Sequence, residues 1–121
     1  MRALIIDDSR TMRMIVGRII RELGFEITEA GDGQEGLKRL VEYGTPDIIL
    51  VDWNMPVMNG FEFVKAVRAN PLYERAYIIM VTTETELGQI TRALEAGANE
   101  YVMKPFTKEV IRDKLLILGV A

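Results

Sequence analysis

Residues 47–60 read DIILVDWNMPVMNG. The opening apolar run, Ile48 to Val51, has the length and composition of a buried β-strand. Asp52 stands where that run ends, followed by Trp53, Asn54, Met55 and Pro56. A carboxylate at the lip of a hydrophobic strand serves no packing purpose. Its meaning depends on what the fold brings to it.

The same short apolar run recurs along the chain, as ALII (3–6), FEIT (25–28), AYIIMVT (76–82) and EYVM (100–103). Helical stretches alternate with these strands. In SRTMRMIVGRIIRELG (9–24), Met12, Ile15, Val16, Ile19, Ile20 and Leu23 step by three and one, which predicts one buried face. Ser9 suits the N-cap, and Gly24 suits the stop. Similar segments follow at 33–44, 59–70, 84–97 and 107–119. Strands alternating with helices predict an α/β, doubly wound parallel sheet covered on both faces. No repeat, linker or low-complexity tract interrupts the pattern, so residues 1–121 are expected to form one domain.

In such a sheet, ligands bind beyond the C-terminal strand ends. There, strand one ends in Asp7-Asp8, strand three in Asp52 and strand four in Thr82-Thr83, while strand five leads into Lys104-Pro105. With strands one and three as neighbours, Asp7, Asp8 and Asp52 crowd one pocket. Three carboxylates repel, and a hard cation with oxygen ligands such as Mg²⁺ resolves the conflict. Lys104 adds a second positive charge, and Thr82 a hydroxyl. Phosphoryl transfer needs positioning and charge neutralisation above all, and this set supplies both. The residues point to a carboxylate that accepts a phosphoryl group.

Composition narrows the field. Of 121 residues, 49% are apolar and 27% charged, an ordinary globular balance. Fifteen Lys and Arg against 18 Asp and Glu leave a net charge of −3, which gives no support to a nucleic-acid binder. Cysteine and histidine are absent, which excludes thiolate chemistry, imidazole catalysis and a phosphohistidine on this chain. No stretch approaches the ~18 apolar residues of a membrane span. No signal peptide is evident, and the cytoplasm is the expected location.

Taken together, DDSRTMRMIV (7–16), ELGF (22–25), DWNMP (52–56), MVTTE (80–84) and YVMKPFT (101–107) resemble the receiver domains of two-component response regulators, in particular the single-domain chemotaxis members. The resemblance spans the whole chain and implies the (βα)5 strand order 2-1-3-4-5. It implies that Asp52 is the phosphoacceptor and that Asp8, Asp52 and the backbone carbonyl of Asn54 bind Mg²⁺, with Mn²⁺ able to substitute and Asp7 acting through water. Lys104 and Thr82 would contact phosphoryl oxygens, and the Lys104–Pro105 bond would be cis. Thr82 and Tyr101 would form a switch that repacks the surface of helix four, strand five and helix five. The implied donor is a histidine kinase or histidine phosphotransfer protein, and the implied target a protein such as the flagellar motor switch. A monomer is expected, with a phosphorylation-dependent dimer as the alternative.

Several positions qualify the resemblance. Asn59 replaces the Asp of many receivers, and both suit a helix start. Thr83 is larger than the Ala of some relatives and narrows access to Asp52. Asn54 and Glu84 occupy positions that tune phosphoryl lifetime, and the polar pair points to a short-lived signal. On helix five, Ile111, Leu115 and Leu118 form the core stripe, while Leu116, Ile117 and Val120 fall off it as a frayed end or an apolar docking patch. Arg10, Met14, Arg18 and Arg21 lie away from the buried face of helix one. They form a solvated basic face or a surface for the phosphodonor's helices.

Other classes fit less well. A haloacid-dehalogenase-like phosphatase needs an acid two residues after its nucleophile, where Asn54 stands. A flavodoxin-like cofactor binder needs a phosphate loop after strand one, where Asp7-Asp8 would repel a phosphate. An inactive receiver would have lost Asp52, Asp8 or Lys104. A receiver cut from a larger regulator, a phosphorelay intermediate and a phosphate sink remain as alternatives of context.

Overall fold

A computed structural model describes residues 1–83 and 88–120. Five strands, β1 (Arg2–Ile6), β2 (Glu26–Ala30), β3 (Ile48–Asp52), β4 (Tyr77–Thr82) and β5 (Glu100–Met103), alternate with five helices. These are α1 (Arg10–Glu22), α2 (Gly33–Tyr43), α3 (Gly60–Arg68), α4 (Ile90–Ala96) and α5 (Lys108–Leu118). The strands pair in parallel in the order β2-β1-β3-β4-β5, as the resemblance implies.

Side chains alternate across a strand, so each strand feeds two cores. Ala3, Ile5, Ile48, Leu50, Ile79, Val81 and Val102 meet Val16 and Ile20 of α1 and Ile111 and Leu115 of α5. Leu4, Ile6, Ile49, Val51, Ile78 and Met80 meet Leu40 of α2, Phe63 and Val64 of α3 and Ala93 of α4. All five residues of β3 are buried, which explains its unbroken apolar run. Each such aliphatic side chain contributes about 1.5–3 kcal/mol by leaving water.

Local chemistry sets the helix ends. The side chains of Ser9, Asp32, Asn59 and Thr107 accept from backbone N–H groups of Met12, Glu35, Glu62 and Val110. Asn59 and Glu62 form a reciprocal capping box, so the Asn at that position keeps the helix start intact. Gly24, with φ of 97°, ends α1 in a conformation costly for any side chain.

Expectations shift at four places, the first being the helix expected over 84–97, of which 84–87 lie outside the described residues and α4 forms Ile90–Ala96. β2 runs over 26–30 rather than 25–28, because pairing with β1 carries it through Glu29 and Ala30 after the apolar run ends. Ile15, expected on the buried face of α1, is 50% exposed; the sheet reaches only the narrower stripe of Val16, Gly17 and Ile20. Val120, expected off the α5 core stripe, packs against the core, because the chain turns back at Gly119 and the Val120 N–H donates to Leu115 O.

Candidate functional site

Strand register assembles the site. Ile5 pairs with Leu50 and Ile6 with Val51, so Asp7 and Asp52 stand side by side one residue further on. Asp52 lies opposite Val81, and Val81 opposite Val102, two residues before Lys104. Residues 7, 52 and 104 therefore continue the columns of core residues 5, 50 and 102 on the α1/α5 face. Thr82 and Tyr101 belong to the opposite face, Met80 pairing with Tyr101 and Thr82 with Met103.

The acids and the lysine meet as the strand ends predict. One carboxylate oxygen from each of Asp7, Asp8 and Asp52 lies within 4.8 Å of the others. Asp7 and Asp52 are buried, whereas Asp8 is exposed. Lys104 Nζ donates to Asp7 Oδ2 and to Asp52 Oδ1, both at 3.3 Å. Burial alone would lower the Lys104 pKa, but attraction to Asp52 and Asp7 outweighs it and raises the pKa above the usual lysine value. Asp7 Oδ1 accepts the Ser9 N–H at 2.9 Å. Among the described residues, one ammonium meets two of the three carboxylates, so the cluster carries more acid than lysine. The donor set is all oxygen and spans about the coordination diameter of one hard cation, so these residues fit Mg²⁺.

The loop after Asp52 is tightly held. The Trp53 N–H donates to Val81 O at 3.1 Å, and the Gly60 N–H to Trp53 O at 2.9 Å. A side chain at Gly60 would strike the Asp52 carbonyl oxygen and the Trp53 backbone, so only glycine permits this approach. Between them, Val57 takes a φ of 67° in a turn closed by Met58 N–H to Pro56 O. Trp53 is buried against Phe61 at 5.8 Å between ring centroids. The guanidinium of Arg92, from α4, lies 4.7 Å from the Phe61 centroid, and Lys65 Nζ lies 5.3 Å from it.

The remaining sequence candidates lie as follows. The Lys104–Pro105 bond is cis. Thr82 is fully buried, and its hydroxyl donates to Thr83 O at 3.2 Å. Tyr101 is half-buried beneath Lys114, whose Nζ sits 5.0 Å from its ring and 3.2 Å from Glu100. Asn54 is exposed, and Thr83 is half-buried. Arg10, Met14, Arg18 and Arg21 are exposed on α1, and Leu116 and Ile117 on α5. Glu84 lies outside the described residues.

Sequence reading missed two arginines. Arg13 Nη1 donates to Asp7 O at 2.6 Å. Arg68 donates to the carbonyls of Gly97, Tyr73 and Ala76 and to Asn99 Oδ1. An arginine on an amphipathic helix carries no mark that separates a clamp from a solvated charge.

A sheet of this order, with three acids and a lysine at its C-terminal rim, is the arrangement expected of a receiver domain. The model of the response regulator receiver domain matches residues 3–116, and the chain belongs to that family. It is 42% identical over 121 residues to the chemotaxis protein CheY1 of Helicobacter pylori, covering 98% of each chain. It is 45% identical over 116 residues to a chemotaxis protein CheY homolog of Campylobacter jejuni, covering 95% of this chain and 89% of that one. Among solved structures, chemotaxis response regulator CheY4 of Vibrio cholerae matches with a TM-score of 0.86 at 38% identity, over 97% of both chains.

Proposed function

We propose that residues 1–121 act as a single receiver domain that takes a phosphoryl group onto Asp52 and thereby signals to a protein partner. The observation that carries this reading is the bridge from Lys104 Nζ to Asp7 and Asp52 within a cluster of three carboxylates. Asp8, Asp52 and the Asn54 backbone carbonyl would hold Mg²⁺, with Asp7 acting through water. The bound ion would supply charge neutralisation for the incoming phosphoryl oxygens.

An Asp52 carboxylate oxygen attacks phosphorus in line with the donor's phosphohistidine. The O–P bond forms as the P–N bond breaks, and the donor imidazole keeps the electron pair. The Lys104 ammonium shifts from its acid partners to the arriving oxygens, and the Thr82 hydroxyl turns from Thr83 O to the same group. Because Thr82 and Tyr101 share one face of the sheet, the space that Thr82 vacates lies along the Tyr101 column. A partner that binds better with Tyr101 turned inward then shifts the population toward that state. The protein's own chemistry is confined to gaining and losing this group. The named relatives are chemotaxis proteins, which supports a donor kinase of that pathway and a flagellar motor target.

The test follows Trp53 fluorescence while Mg²⁺ and then a small-molecule phosphodonor are added, with Asp52→Ala alongside. A metal-dependent change, then a donor-dependent change absent from Asp52→Ala, supports the reading. An unchanged intact mass after donor treatment would sink it.

A further inference from the structure

Asp7 is held by four neighbours. Its N–H donates to Ala30 O at 3.1 Å, and its carboxylate accepts from the Ser9 N–H and from Lys104. The remaining hold is on its carbonyl oxygen, which accepts from Arg13 Nη1 at 2.6 Å. Arg13 is itself fixed from behind, since its Nε donates to Glu29 Oε1 on β2 at 3.2 Å. Its side chain is only 19% exposed, unlike the solvated Arg10, Arg18 and Arg21 of the same helix.

That carbonyl belongs to the peptide joining Asp7 to Asp8. A peptide is planar, so fixing its oxygen fixes the direction in which the chain enters Asp8. Asp8 is the exposed member of the acid cluster, and its carboxylate takes its place from this peptide. We infer that Arg13, braced by Glu29, is a positioning residue for Mg²⁺: it orients the Asp7–Asp8 peptide so that both carboxylates face the ion before it binds. This rests on the reading of the three acids as a Mg²⁺ site.

Charge alone predicts the opposite sign. A guanidinium beside a cation site repels the cation, so its removal should tighten binding if arginine acts only through its field. If it positions the acids, its removal should loosen binding. Residues that orient metal ligands typically change affinity about 10–100-fold when lost.

The experiment titrates the full chain with Mg²⁺ alone, read by Trp53 fluorescence and by calorimetry, for the unaltered protein, Arg13→Ala and Arg13→Lys. Thermal melts establish that each is folded at the assay temperature. Positioning predicts about tenfold weaker binding in Arg13→Ala. Arg13→Lys keeps the charge but not the two-armed reach, and should bind about threefold weaker. Equal or tighter binding in folded Arg13→Ala overturns the inference. If Arg13→Ala does not fold, unchanged affinity in Arg13→Lys overturns it instead. No binding by the unaltered chain overturns the Mg²⁺ reading and the role of Arg13 with it.

Discussion

The two rims of the sheet differ in what they leave paired. At the N-terminal rim, arginines close off backbone carbonyls. Arg68 reaches from the end of α3 to Tyr73, Ala76, Gly97 and Asn99, and Asn99 Oδ1 also accepts the Ile78 N–H. Arg2 likewise donates to the carbonyls of Tyr43 and Thr45. Cation and acceptors are matched there, and the arrangement is complete in itself. At the C-terminal rim, among the described residues, one lysine bridges the two buried members of a three-carboxylate cluster. That rim keeps a surplus of negative charge that no packing argument explains. The surplus marks where a ligand belongs, because a fold breaks its local rules mainly at functional sites.

Lys104→Ala tests the functional rim and has the largest expected effect. Preorganised cations that meet developing charge are worth about 10²–10³-fold in rate. Phosphorylation of Asp52 by a small-molecule donor, followed by intact mass, should slow by about that factor. Mg²⁺ should bind more tightly at the same time, because a competing cation has left the acids. A rate within a fewfold of the unaltered protein would make Lys104 a structural pair only, and the contrast between the rims would collapse.

Arg68→Met should do the reverse. It strands several partly buried carbonyls, each of which costs about 1–3 kcal/mol when left without a donor. Water reaches some of them, so a net loss of about 2–4 kcal/mol in urea unfolding is expected. The phosphorylation rate of the folded fraction should not change. A rate loss with unaltered stability would show that the N-terminal rim is coupled to the chemistry.

This contrast also explains what could be read before the structure. Asp7, Asp8, Asp52 and Lys104 were legible because a charge at the exit of an apolar strand is conspicuous. Strand periodicity then placed them on one rim, and the expected order of the sheet agrees. Arg13 and Arg68 were illegible because both sit among ordinary amphipathic helix residues. Their roles come from oxygen acceptors five to 31 residues away, which the folded chain brings near. Ile15 misled for a related reason. Helical spacing marks every apolar position on a stripe, but the sheet decides how wide a stripe it can cover.

A smaller effect is expected beside the C-terminal rim, where Arg92 of α4 lies over Phe61 of α3. A cation over a ring at a largely exposed site contributes about 0.5–1 kcal/mol. Arg92→Ala should lower stability by no more than that in urea unfolding. Because Phe61 also packs against Trp53, the emission of that tryptophan should shift as well. Unchanged emission would mean that the ring pair is insensitive to α4.

The smallest effect concerns pH, and its sign follows from the pairing. The pKa of Lys104 is raised in the folded protein by Asp52 and Asp7 against the opposing effect of burial. A base whose pKa rises on folding binds its proton more tightly in the native state. Its contribution is therefore complete below the ordinary lysine value, about 10.4, and fades as pH climbs through the higher folded value. Without metal, this pair should contribute fully and give urea midpoints no pH dependence between about pH 6 and 9. A loss should set in only above the ordinary lysine value, and Lys104→Met should remove that alkaline component. Rising pH should thus loosen the tie between Lys104 and its acids, and an alkaline loss that persists undiminished in Lys104→Met would place the sensitivity elsewhere in the fold.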